Sequence, residues 1–286
     1  MSDVHEYISI LVSSFLSLLG CTFILFLYYK YKSLQGQAYK LISILAIIDI
    51  FHCIAFMIPT YNEDIQSTRC ICQAISITAI TLASILWTFV ISVFLYIGVV
   101  KKKSYEDKIF KVLFICIVLC LIVAFIPPLV SGFHNFTNKS GWCWIKDECL
   151  KFFVLYLPLW LVIITNTGIY MVVIKHLKLA SDMHPELKHL GISMIRKLRM
   201  YPIILIISFL PVTMYRIFEF FKADDDKNET FIIVAGMFTC LNGFFNAIVY
   251  GCTKNVRNVL TSRRVGIERY SRMEGSPKGI SIAQNK

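Results

Sequence analysis

Charge is what this 286-residue chain has least of: Asp, Glu, Lys and Arg make up 16% of it, where a soluble domain carries about a quarter. Its mean hydropathy is +0.66. That shortage excludes an ordinary water-soluble globule, and the length of the apolar runs excludes a merely greasy core. Also missing are an HExxH, a Gly-rich phosphate loop, a nucleophile elbow and any clustered metal-ligand spacing. Hydrolytic, phosphoryl-transfer and metal-centred chemistry therefore have no carrier, and the chain reads as no enzyme, with no cofactor and no metal. No internal repeat is evident, which argues against an inverted-repeat transporter. No ring of charge of the kind that lines a pore appears in a single copy. No small-residue cleavage site follows the first apolar run, so the first helix is expected to act as its own, uncleaved insertion signal.

What is present is seven apolar runs, at residues 7–29, 39–60, 72–100, 109–130, 152–174, 200–221 and 231–251. Runs of about 20 residues cross a hydrocarbon layer of about 30 Å as helices. The third run says most. Ala74 to Val100 holds no charged residue, and about 27 residues make roughly 40 Å of helix, long enough to require a tilt. Cys70 and Cys72 stand at one end and Lys101, Lys102 and Lys103 at the other. Thiols suit an oxidising outer face, and a lysine run suits the cytoplasmic side. Alternating the loops from that assignment places 22 of the 29 Lys and Arg on the Lys101 side and six on the other, with Arg216 inside a helix. The net charge of +11 is then a positive-inside bias and not a nucleic-acid footprint.

The expected architecture is an all-α bundle of seven transmembrane helices, amino terminus outside and carboxyl terminus cytoplasmic. Residues 1–262 form the bundle, and 263–286 a disordered cytoplasmic tail. Past the seventh run, Val256, Val259 and Leu260 oppose Lys254, Arg257, Arg263 and Arg264. That is the pattern of a short amphipathic helix on an anionic leaflet, which makes membrane lipids a partner.

On this topology the three N-glycosylation sequons, at Asn135, Asn138 and Asn228, all fall outside. So do four cysteines, Cys70, Cys72, Cys143 and Cys149, which allow three full pairings. The other six lie in or beside helices, as small buried apolar residues do. Asp49, in LAIIDIFH, is costly at its depth and points to a function or a polar network. His52, three residues on, could face the same way. Asn242, Asn246 and Tyr250 recur every four residues, so they form one stripe, and polar stripes on membrane helices face the bundle. The sixth run holds Pro202 and Pro211, and prolines kink membrane helices where helices move. Near its outer end Arg216 has two readings, snorkelling to the interface or an inward anion site.

Taken in order, several stretches resemble one known family. They are SSFLSLLGCTFI, CICQA, LASILWTFVISVFLY, GWCWI, YLPLWLVIITN, YPIILIISFLPVTMYRI and LNGFFNAIVYG. From Ser13 to Cys252 the chain is similar to the G-protein-coupled receptors, within them the slime-mould cyclic-AMP-receptor-like branch. The resemblance implies a disulfide between Cys70 and Cys143, with Cys72 as an extra thiol. It likens Asp49 to the receptors' sodium-site aspartate, and Asn246 with Tyr250 to the end of the helix-7 NPxxY motif, Ala247 replacing the proline. Phe209-Leu210-Pro211 stands where a CWxP switch would, with Pro211 as the helix-6 kink. The DRY box is absent, since the inner end of the third run reads LYIGVVKKK, so an ionic lock of the usual kind is not expected.

The family's activity would be to pass an extracellular small-molecule signal to a heterotrimeric G protein, at the plasma membrane. The agonist would be a cyclic nucleotide or another small anion, held between helices 3, 5, 6 and 7 by Arg216, Lys151 and Lys146. Lys101, Lys102, Lys103, Arg196, Lys197 and Arg199 would frame the G-protein cleft, although positive-inside bias alone explains most of that charge. A seventh run without lysine excludes a retinal Schiff base there. The competing reading is a small polytopic ion transporter or channel, with Asp49 and Asn246 along its path.

Overall fold

A computed structural model describes residues 2–60, 67–132, 136–137, 142–183, 203–218, 229–251 and 256. The first run forms α1 (Ser2–Lys30), and a tight turn leads through Gly36 into α2 (Gln37–Met57). Pro59 disfavours helical backbone at Ile58, which is extended (ψ 121), so α2 stops there. Next comes α3 (Thr68–Val99), capped by Ser67, whose hydroxyl accepts the Cys70 N–H at 3.2 Å. Just past its far end Lys102 adopts a left-handed φ of 51. The chain then folds back, and Tyr105 stacks on Phe94 with ring centres 4.7 Å apart.

The fourth crossing is α4 (Ile109–Ala124) and α5 (Ile126–Ser131), interrupted at Phe125 just ahead of Pro127 and Pro128. A short hairpin follows, with β1 (Phe136–Thr137) antiparallel to β2 (Trp144–Ile145) and Phe136 opposite Ile145. The fifth crossing begins with α6 (Glu148–Lys151), capped by Asp147, which accepts the Leu150 N–H at 2.8 Å. A π-helical turn at Phe152–Tyr156 joins it to α7 (Leu157–Met183). Pro158 explains the widened turn, because it lacks an N–H and crowds the Val154 carbonyl four residues back. The sixth crossing is α8 (Ile203–Phe218). The seventh is a pair, α9 (Glu229–Cys240) and α10 (Asn242–Gly251), bent by 42° around Leu241.

Five of these crossings are long and apolar enough to span a bilayer alone. The bent pair makes a sixth, and α8 is the shorter seventh. Only 17% of the fourth crossing's apolar window is buried by protein, so most of its surface needs lipid. The architecture is the expected seven-helix membrane bundle. The expected amphipathic helix, apart from Val256, and the tail at 263–286 lie outside the described residues.

The hub is α3, packed on α2, α4 and α7, while α1 packs on α2, α9 and α10. Trp87, fully buried, donates to the Leu41 carbonyl of α2 at 2.9 Å, and Ser92 donates to Asn166 of α7 at 2.6 Å. Between α1 and α10 the backbones close on a glycine. A Cβ at Gly243 would lie 2.5 Å from Ser17 Oγ and 2.6 Å from Cys21 Sγ. Small residues permit such approaches between membrane helices.

Candidate functional site

Asp49 is buried where α2, α3 and α10 meet. Its Oδ1 accepts from Ser84 Oγ at 2.8 Å and Asn242 Nδ2 at 3.4 Å, and its Oδ2 accepts from Asn246 Nδ2 at 3.0 Å. Asn242 and Asn246 both reach it because one helical turn separates them. Tyr250, one turn further, is buried in a cluster with Cys21, Ile24, Ile42, Ala46 and Ala247. The α2–α3 seam is a ladder of polar rungs. Above Trp87–Leu41 and Ser84–Asp49 comes His52 Nε2 with Thr81 Oγ1 at 3.1 Å. Gln73 Nε2 then donates to the Ala55 and Ile58 carbonyls at 3.1 and 2.9 Å. Three residues separate Asp49 from His52, and three separate Thr81 from Ser84, so the two helices keep register rung by rung.

The disulfide end of the bundle is closed by the hairpin. Cys70 and Cys143 are bonded, as the resemblance implied. Gln73 Oε1 accepts from Cys143 N at 2.8 Å and from Thr60 Oγ1 at 2.5 Å, so one amide joins α2, α3 and the hairpin. Trp142 packs on Phe56 with ring centres 6.0 Å apart. The space below, lined by Phe56, Trp142, Trp144 and Phe209 among others, is only about 30 Å³, enough for one water.

Beside it lies a cation cluster. Arg216 of α8 places Nη1 3.7 Å from Glu148 Oε1, and Lys151 Nζ donates to that same oxygen. Arg216 stands 5.1 Å and Lys151 5.6 Å over the Trp144 ring, within cation–π range. Side-chain exposure is 12% for Arg216 and 3% for Lys151, so neither snorkels into water. A cavity of about 460 Å³ opens on the Arg216–Glu148 pair, between the start of the fifth crossing and α8.

The structure thus brings Arg216 and Lys151 together and leaves Lys146 exposed, apart from them. It adds three residues that sequence reasoning missed: Ser84, Glu148 and Trp144. Only Glu148 carried a usable signal, its helical i,i+3 spacing to Lys151. Pro211 falls within α8, and Lys101, Lys102 and Lys103 are exposed at the opposite end. Arg196, Lys197, Arg199, Asn135, Asn138 and Asn228 lie outside the described residues.

Seven apolar crossings, a buried carboxylate shared by three of them and a disulfide-tied hairpin define a multi-pass membrane protein with the seven-helix receptor fold. The crystal structure of squid rhodopsin superposes on it with a TM-score of 0.71, covering 99% of this chain and 94% of that one at 16% identity. The slime mold cyclic AMP receptor family matches residues 1–262, and the chain belongs to that family. It is 27% identical over 263 residues to G-protein coupled receptor 1 of Arabidopsis thaliana, covering 88% of this chain and 79% of that one. With Cyclic AMP receptor-like protein A of Dictyostelium discoideum it shares 26% identity over 250 residues, 86% of this chain and 64% of that one. Cyclic AMP receptor 2 of the same organism is 30% identical over 154 residues, 52% of this chain and 40% of that one.

Proposed function

We propose that this chain is a plasma-membrane receptor that passes the signal of an extracellular small anion to a heterotrimeric G protein. One observation carries the reading: Arg216 of α8 and Lys151 of α6 converge on one carboxylate, Glu148, over the Trp144 ring of the disulfide-tied hairpin. The disulfide end faces outward, in keeping with the distribution of Lys and Arg. An incoming phosphate or carboxylate competes with Glu148 for the guanidinium fork, which suits such groups. That exchange alters the tie between the fifth crossing and α8. The ligand acts only as far as it favours one arrangement of α8 over the other. Movement of the opposite end of α8, flexing near Pro211, opens a cleft among Lys101, Lys102, Lys103, Arg196, Lys197 and Arg199. The Asp49 node holds α2, α3 and α10 together while α8 moves against them.

A cyclic nucleotide is the first anion to test, because two relatives are named for cyclic AMP. The experiment is G-protein nucleotide exchange in membranes bearing the chain, with cyclic AMP titrated from outside. A saturable response that shifts tenfold or more in Arg216→Ala, at equal surface expression, supports receptor and anion site together. Constitutive exchange that ignores the nucleotide keeps the receptor and discards that ligand. No exchange with any G protein tried, together with ion flux in liposomes, would replace the receptor by a transporter.

A further inference from the structure

The room beside Arg216 describes more of the ligand than its charge. Its walls are Phe152, Phe153, Tyr156 and Trp160 from the fifth crossing, with Ile217 from α8. Thr213 also lines it, but its hydroxyl is committed to the Phe209 carbonyl at 2.7 Å. The cavity's charged groups are Arg216 and Glu148 alone among the lining residues. The mouth faces sideways: Phe152, Phe153 and Ile217 are 50%, 63% and 48% exposed, and on crossing helices such surface meets lipid tails. At about 460 Å³ the cavity has the size of an ordinary small-molecule site. The central space under the hairpin, at about 30 Å³, does not. A wholly polar anion gains nothing from an aromatic wall and cannot easily approach through hydrocarbon.

We propose that this cavity is a lateral site for a single-tailed amphiphile, its acidic head on Arg216 and its hydrocarbon tail along the aromatic wall, entering from the bilayer between α7 and α8. The inference rests on the proposed function only in placing an anion at Arg216; binding itself needs no G protein. The π-helical turn lies along the wall, and such turns recur at functional sites. Head chemistry is shared by fatty acids and lysophosphatidates, and the test separates them.

Full-length protein in phosphatidylcholine nanodiscs, carrying Cys72→Ser, would be titrated with radiolabelled hexadecanoate or hexadecanoyl lysophosphatidate. Labelling of Cys149, an exposed thiol on the cavity wall, would be followed by peptide mapping with a polar maleimide. Saturable binding of either acid, with at least tenfold slower labelling of Cys149, is expected. Methyl hexadecanoate should do neither. Arg216→Gln and the cavity-filling Ile217→Trp should each weaken binding tenfold or more. Phe153→Ala, at an exposed position that does not threaten the fold, should weaken it several-fold. The proposal is overturned if neither acid binds saturably, if the methyl ester binds as well as the acid, or if all three variants bind like the parent. Binding without nucleotide exchange would sink the signalling reading and leave the site standing. Exchange driven by cyclic AMP, with no amphiphile bound, would do the reverse.

Discussion

Asp49 faces three donors and, among its described partners, no cation, so its removal strands polar groups and breaks no ion pair. Asp49→Ala leaves Ser84, Asn242 and Asn246 around an apolar void. It should cost about 1–3 kcal/mol, read as a lower midpoint of thermal unfolding in detergent; Asp49→Asn, which keeps volume and one acceptor, should cost less. Gly243→Ala tests the opposite fault, overpacking. The new methyl would meet Ser17 Oγ and Cys21 Sγ, both within 2.6 Å, and should cost about 1–3 kcal/mol. Cys21→Ala with Ser17→Gly should restore part of the loss, and failure to do so would place the fault elsewhere. Asp49 was legible in the sequence because a carboxylate at that depth is expensive. Ser84 was not, because a serine in a membrane helix is cheap and only the α2–α3 register shows its partner. Lys146 and Lys151 looked alike as loop cations. What separates them is the one turn of α6 that turns Lys151 inward to Glu148.

At the scale of elements, the fifth crossing carries information that no hydropathy pattern holds. The π-helical turn contributes one residue more than an α-helix would need there. Deleting Val154 should turn it into ordinary helix, rotate Glu148 and Lys151 by about 100° relative to α7 and part Glu148 from Arg216. Val154 is itself buried against α3, so potency is compared at equal surface expression. Agonist potency should fall at least tenfold. Unchanged potency in nucleotide exchange would remove the Arg216–Glu148 tie from the mechanism. The Trp87 rung is separable from this: Trp87→Phe loses one bond to the Leu41 carbonyl and leaves part of the buried indole's volume unfilled, so it should cost about 2–3 kcal/mol. Helix existence was plain in the sequence, and Pro59 announces the end of α2, whereas Pro127–Pro128 mark only the break at Phe125, since α5 carries the crossing on to Ser131. The choice between a snorkelling and an inward Arg216 was not legible, because it depends on Trp144 reaching it from a hairpin 72 positions earlier.

For the whole molecule, seven apolar runs in one chain admit few architectures, so the bundle could be read before any coordinate. Which end faces out was argued from lysine and arginine alone, and that argument has a direct check. Expressed in eukaryotic cells, the protein should show a glycosidase-sensitive mass shift that Asn135→Gln, Asn138→Gln and Asn228→Gln together abolish. A shift that survives the triple change, or never forms, would count against the outward assignment. Spacing alone left three cysteine pairings open, and it was the family likeness that selected Cys70 with Cys143. The physical selector is visible in the fold. Gln73 grips the backbone N–H of Cys143 while its own amide is held on the last turn of α2. The hairpin can therefore be seated beside α3 by hydrogen bonds that need no oxidation. Cys72, two positions along α3 and exposed, competes for the same partner. Gln73 thus serves as a jig, presenting Cys143 to one thiol and away from its neighbour. Without it, as in Gln73→Leu, the pairing would be left to chance, and a mixture of Cys70–Cys143 and Cys72–Cys143 proteins should emerge from one gene.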